Sequence, residues 1–429
     1  MLSLLGEIAA ALGFFALILV SVGLHELGHF LPSKLFGVKV TQFMIGFGPT
    51  IVKFRRGETE YGLKWLPFGG YCAIAGMVPP YREGKDTRLK RFADSIRRSE
   101  WADITPDDVA SGRLFYQQSF GRRFLIMAGG VTVNLILAFA LFQGINWGYG
   151  RLGDPSLTVA TVTNCLTSEQ GDQTCHLTPA AQAGLEPGDQ LVALNGQELA
   201  DYEQYTAALL ANVTTDADGQ TQALPVTITV ERPDVGRLTL PQASGLMAQF
   251  NNGEIRPYLG ISVERPLIRP GPVTTLEQMG EIAWISLKAI AQLPVLVWQT
   301  VEDLVTGQPR DENSVMSVVG AARLAGEVAS TDELDRGSKI AVYAALLGSI
   351  NLFLALLNLV PLLPFDGGHI AAGAYGVVRS AWAKLRRRPD PGPVDAAKLQ
   401  PIAYAVGAAL LLMGVILIVA DILSPISLF

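Results

Sequence analysis

Apolar residues in this chain fall into two patterns. Long runs suited to helices alternate with a central stretch of short strand-like segments. Four runs are long enough to cross a hydrocarbon core of about 30 Å. They cover roughly 5–36, 124–147, 340–363 and 402–422. The first contains IAAALGFFALILVSVGL at 8–24, without a single charge. The second and third are less clean, because they carry Asn134, Asn351 and Asn358. Polar residues within a span turn toward the bundle interior. The pattern predicts a polytopic α-helical membrane protein with about four transmembrane helices.

Between the second and third runs the period changes. TVATVT (158–163), QLVALNG (190–196) and VTITVER (226–232) read as strands separated by turn residues. The tract AAQAGLEPGDQLVALNGQEL (180–199) resembles the PDZ domain of bacterial periplasmic proteases. In such a domain a short helix ends at Gly184, Pro187-Gly188-Asp189 turns, and a strand leads to the turn Asn195-Gly196. PDZ domains bind extended peptides or C-termini by adding a strand to a sheet edge. Residues 275–335 are amphipathic at helical spacing. They fit a helix along the membrane surface, with Trp284 and Trp298 at the interface, and equally a soluble helix pair.

Composition agrees with a membrane protein carrying a soluble insert: 49% of residues are hydrophobic and 17% charged. The net charge of −6 argues against nucleic acid as a partner. Met1–Glu7 has no Lys or Arg, so the first run reads as a retained helix rather than a cleaved signal peptide. Lys and Arg number 15 in 37–123 and 6 in 376–400, but only 11 in the longer stretch 149–339. The positive-inside rule then puts the first two stretches in the cytoplasm and 149–339 outside, with both termini. Lys384, Arg386, Arg387 and Arg388 carry much of that bias. The expected order is 1–36 first span; 37–121 cytoplasmic; 122–148 second span; 149–270 extracytoplasmic insert; 271–339 amphipathic region; 340–375 third span; 376–400 basic loop; 401–424 fourth span. Cys165 and Cys175 flank a polar loop and suit a disulfide outside the cytoplasm, or two free thiols, with equal weight.

The chemistry is concentrated in His25-Glu26-Leu27-Gly28-His29, an H-E-x-x-H motif inside the first run. Positions i and i+4 share a helix face about 6 Å apart along the axis. Both imidazoles therefore reach one Zn²⁺, and the adjacent Glu26 can act as general base. The chain has only four His, and ionisable groups inside a span need a functional reason. Catalytic zinc usually takes three protein ligands and leaves a position open. Asp366 and His369, at the end of the third run, compete as the third ligand, and residue chemistry alone divides them evenly.

HELGH together with NLVPLLPFDGG (358–368) resembles the site-2 protease family of intramembrane zinc metalloproteases, of M50 type. Gly130-Val-Thr-Val-Asn134 is similar to the family's G-x-x-x-N element, although Val131 stands where Pro is common. Gly46-Phe-Gly-Pro49 and Tyr61–Tyr71 resemble its β-hairpin loop, which re-enters the membrane beside the active site over about 46–76. SVVGAARLAG (317–326) is similar to a segment before the third span. The single PDZ insert resembles the RseP-like branch in the form of actinobacterial Rip proteases.

The resemblance implies Zn²⁺ on His25, His29 and Asp366, with Glu26 as catalytic base. It implies substrate contacts from Asn134, Asn358, Gly46, Gly48, Gly69 and Gly70. It further implies regulated intramembrane proteolysis of a single-span substrate, such as an anti-sigma factor already trimmed outside, with the PDZ domain screening substrates in the plasma membrane. Two rival readings remain: an inactive PDZ membrane scaffold and a zinc transporter. An intact Glu26 weakens the first, and the lack of internal repeats weakens the second.

Overall fold

The computed structural model describes residues 2–80, 88–167, 175–215, 221–249, 255–308, 310, 314–332 and 334–425. The chain divides into two compact units. One comprises Met1–Tyr149 with Pro270–Phe429, the other Gly150–Arg269.

Among the described residues, five helices in the first unit are long and apolar enough to cross a membrane: Leu5–Leu35, Phe120–Gly148, Pro272–Thr306, Arg336–Asn358 and Ala396–Leu423. Four of them coincide with the apolar runs. The other, Pro272–Thr306, lies in the stretch read as amphipathic. Its charges and Pro294 break up the apolar pattern, yet it folds as one 35-residue helix. The third run also differs from its reading. It stops at Asn358, and a new helix starts at Asp366. Pro361 and Pro364 explain the break, because a residue before proline is pushed out of helical geometry.

The first helix, α1 (Leu2–Leu35), has 34 residues and a length of about 51 Å, well beyond the hydrocarbon core. Gly37, at φ +73°, lets the chain leave it. The chain then forms an antiparallel hairpin of β1 (Val40–Arg56) and β2 (Thr59–Ile74). A lone two-stranded hairpin is marginal in water. This one leans on α1: the Phe30 ring meets Phe43 and Tyr61 edge-on at 5.5 and 5.8 Å. Val38, Val40 and Ile74 join Phe115, Ile126 and Met127 in a buried cluster. Phe47, Ile51, Val52, Phe54, Trp65 and Leu66 stay exposed, as side chains facing lipid would.

The Phe120–Gly148 helix packs on both α1 and the Arg336–Asn358 helix. Ala138, Phe142, Met279 and Leu352 form one shared core. The short helix Val318–Ser330 lies against α1 through Ala321, Ala322 and Ala325, whose small side chains admit Phe14 and Ile18. A buried ion pair ties the approach to that helix to the end of the last one. Arg310 Nη1 donates to Asp421 Oδ1 at 2.7 Å, and the Ser317 N–H donates to Asp421 Oδ2 at 2.7 Å.

The second unit is β-rich. Gln190–Leu194 and Ile228–Arg232 pair at the centre of a four-stranded antiparallel sheet. Val159–Val162 pairs with Ile261–Val263. Helices Pro179–Ala183 and Tyr202–Ala211 cover a core of Val159, Leu191, Leu194, Tyr205, Ile228, Val230 and Leu259. Gly184, Asn195 and Gly196 have positive φ at the expected turns. Cys165 and Cys175 form a disulfide, with Cα atoms 5.4 Å apart.

Candidate metal centre

α1 carries His25 and His29 on one face, with ring centroids 4.8 Å apart and planes at 82°. His29 Nδ1 donates to the Ile126 carbonyl of the neighbouring helix at 2.9 Å. In the neutral ring that bond leaves Nε2 as a bare lone pair. This atom lies 3.2 Å from His25 Nε2 and 3.2 Å from Asp366 Oδ2. His25 Nε2 is 3.5 Å from the same carboxylate oxygen. Asp366 opens the helix Asp366–Leu385, where a carboxylate gains from the helix dipole.

Three electron-pair donors converge, and Asp366 Oδ2 is buried without a hydrogen-bond partner. Lone pairs facing one another in a low-dielectric site repel, so the arrangement calls for a cation between them. The spacing matches zinc in particular. With zinc–ligand distances of 2.0–2.1 Å, adjacent ligand atoms of a tetrahedral site are about 3.3 Å apart. The residues present therefore fit a zinc ion: His25, His29 and Asp366 would hold it.

Close approach of two helices makes the convergence possible. Gly28 and Gly129 stack backbone on backbone, and a Cβ at Gly28 would lie 2.7 Å from the Gly129 carbonyl carbon. A Cβ at Gly130 would overlap His29 Nε2 and come within 2.7 Å of His25 Cε1. Small residues at such crossings are the usual device of membrane helices.

The remaining residues expected at the site occupy different positions around it. Glu26 is 8% exposed, and its carboxylate lies beside the backbone of Cys72 on β2. Asn358 Nδ2 is 3.5 Å from His25 Nε2. Asn134 is fully buried, and neither of its amide atoms has a hydrogen-bond partner. Gly70 abuts Glu26. Gly46, Gly48 and Gly69 have φ of +87°, +81° and +97° and neighbour Lys64, Leu66 and Phe47, within the hairpin itself. His369 is not among the converging ligands. It lines a cavity of about 450 Å³ with Phe120, Arg123, Ser380 and Lys384.

Sequence reasoning missed two contributors, and it placed Asn351 toward the bundle interior without naming its partner. The Ile126 carbonyl has no side-chain signal at all. Gly129 was legible as a small residue in a span, beside Gly130. Asn351 donates to Ser21 Oγ at 3.1 Å, tying the third span to α1.

Comparison with known proteins matches residues 13–413 to Peptidase family M50. Zinc metalloprotease Rip1 of Mycobacterium tuberculosis is 32% identical, with 97% of this chain and 98% of the relative aligned. Metalloprotease MmpA of Caulobacter vibrioides is 27% identical over 84% of both chains. A putative zinc metalloprotease of Synechocystis is 27% identical over 97% of this chain and 96% of its own.

Proposed function

The chain belongs to peptidase family M50, the site-2 protease family, and from that membership we propose how its residues divide the work. The protein is a zinc metalloendopeptidase of multi-pass membrane architecture, acting on membrane-bound substrates. We assign His25, His29 and Asp366 as zinc ligands and Glu26 as general base. The observation that carries this reading is the 3.2–3.5 Å triangle of donor atoms beside a buried Glu, within an apolar helix.

Held by His25, His29 and Asp366, zinc would supply a Lewis acid for the scissile carbonyl and the attacking water. Glu26 takes the proton of the attacking water and hands it to the leaving amine. Asn134 and Asn358 donate hydrogen bonds to the substrate backbone or the developing oxyanion, and the orphaned amide of Asn134 supports this role. A helical substrate must unwind before its peptide bond is accessible, and unwound backbone in lipid needs partners. Residues 42–45 of β1 lie between 60–63 and 70–73 of β2, so the edges available to an added strand are those of 70–74 and 50–56. Gly46, Gly48 and Gly69 bend the hairpin, and Gly70 lies on the 70–74 edge.

Gly150–Arg269 acts as an extracytoplasmic PDZ domain that admits substrates by a C-terminus or a trimmed outer segment. Its disulfide supports a location outside the reducing cytoplasm. The substrate is a single-span protein already shortened outside, such as an anti-sigma factor. Cleavage of a tagged stub of this kind, comparing wild type with Glu26→Gln, tests the reading. A fragment from wild type alone is expected. Equal fragments from both, or none from either with zinc bound, would favour a non-catalytic scaffold.

A further inference from the structure

On α1, the Glu26 side chain has apolar neighbours four residues away, Val22 and Phe30, and His29 three residues on. A Glu has three rotatable torsions, and a base must sit within hydrogen-bond reach of the water it deprotonates. The fixing contacts come from β2. The Cys72 backbone N–H stands beside the Glu26 carboxylate. Two residues earlier, Gly70 passes directly over the stem of the same side chain. A Cβ there would sit 3.0 Å from Glu26 Cγ and 3.2 Å from Val22 Cγ1, with the Met44 carbonyl oxygen at 2.9 Å.

Gly70 differs from the other glycines of the hairpin. Gly46, Gly48 and Gly69 have positive φ, which favours glycine for backbone reasons. Gly70 is not among the positive-φ positions. What excludes a side chain at Gly70 is contact, and part of that contact is the base. We propose that β2 positions the base: Gly70, packed on the Glu26 stem, holds the carboxylate at its working angle. The strand proposed to receive substrate thus also aims the base that activates the attacking water. Gly70 is a positioning residue, acting through Glu26.

This inference rests on Glu26 being the base, and the two are separable by experiment. Purified full-length protein in proteoliposomes is assayed with a fluorogenic single-span substrate, comparing wild type, Gly70→Ala and Glu26→Gln. Zinc per chain and thermal unfolding are measured in parallel. For Gly70→Ala, kcat should fall about 10–100-fold, as expected for a base displaced by a fraction of an ångström. KM should stay within about twofold, and zinc content should be unchanged.

Val22→Ala in the Gly70→Ala background removes one crowding methyl and should restore about fivefold or more of the lost kcat. If Gly70→Ala does not fold, this double variant carries the kcat and KM comparison. A raised KM at retained kcat, unchanged kinetics, or no recovery in a folded double variant would each overturn the proposal. Full activity of Glu26→Gln would instead remove the assignment of the base.

Discussion

His29 reaches its place through one hydrogen bond, from Nδ1 to the Ile126 carbonyl, which turns Nε2 toward His25 and Asp366. His29 therefore depends on a partner that fixes its ring. Asp366→Asn removes the anionic donor and should weaken zinc binding about 10–100-fold or more, measured by competition with a chelator. Gly130→Ala should be as damaging without replacing a ligand. Its methyl would overlap His29 Nε2 and push the imidazole out of the triangle. Metal analysis of the purified variant should show substoichiometric zinc, and a full complement would contradict the crossing geometry.

At the scale of elements, the bundle relies on close crossings and on one buried charge pair. Arg310 and Asp421 have side chains only 1% and 3% exposed. Removing one partner strands the other charge, at a cost of about 3–5 kcal/mol. Asp421→Ala should thus lower the thermal midpoint sharply, whereas replacing both by apolar residues of similar volume should recover much of it. The hairpin is held differently, by the aromatic contacts of Phe30 with Phe43 and Tyr61. Such contacts leave an edge free for an added strand.

At the scale of the whole molecule, the chain divides into two compact units. Arg151 pairs with Ile268 and Leu152 with Leu267, so the two ends of the β-rich unit lie side by side. A short Gly-Ser linker in place of 150–269 should therefore leave a folded membrane unit with its zinc, assayed by metal content in detergent. Within the β-rich unit, burial opposes ionisation of Asp189. The Arg232 guanidinium, bonded twice at 2.8 Å, and the Glu186 N–H outweigh burial and hold the carboxyl below the usual carboxylate range. A folded value below the unfolded one contributes stability above that range, lost as pH falls through it. Asp189→Asn should cost the excised unit about 2 kcal/mol at neutral pH. The difference should shrink as pH falls below the usual carboxylate range, followed by denaturant unfolding at each pH.

Four of the apolar helices, the His25–Glu26–His29 face and the strands of the insert were legible because each is set by local periodicity. Charge-free length makes a span, a four-residue interval puts two imidazoles on one face, and alternation makes a strand. Pro272–Thr306 was legible only as amphipathic, because its charges and Pro294 break the period that the 35-residue helix then ignores. Periodicity also could not choose between Asp366 and His369, which lie one helical turn apart. That choice depends on where the break at Pro361 and Pro364 aims the start of the next helix, and Asp366 is the residue whose oxygen meets both imidazoles. The contacts of Ile126 with His29, of Gly130 with both rings and of β2 with Glu26 join residues 44 to 105 positions apart. No local pattern encodes them. The sequence by itself determined which groups can do the chemistry, and only the packing of helices and hairpin decided how they are aimed, since orientation in a low-dielectric interior is set by neighbours distant along the chain.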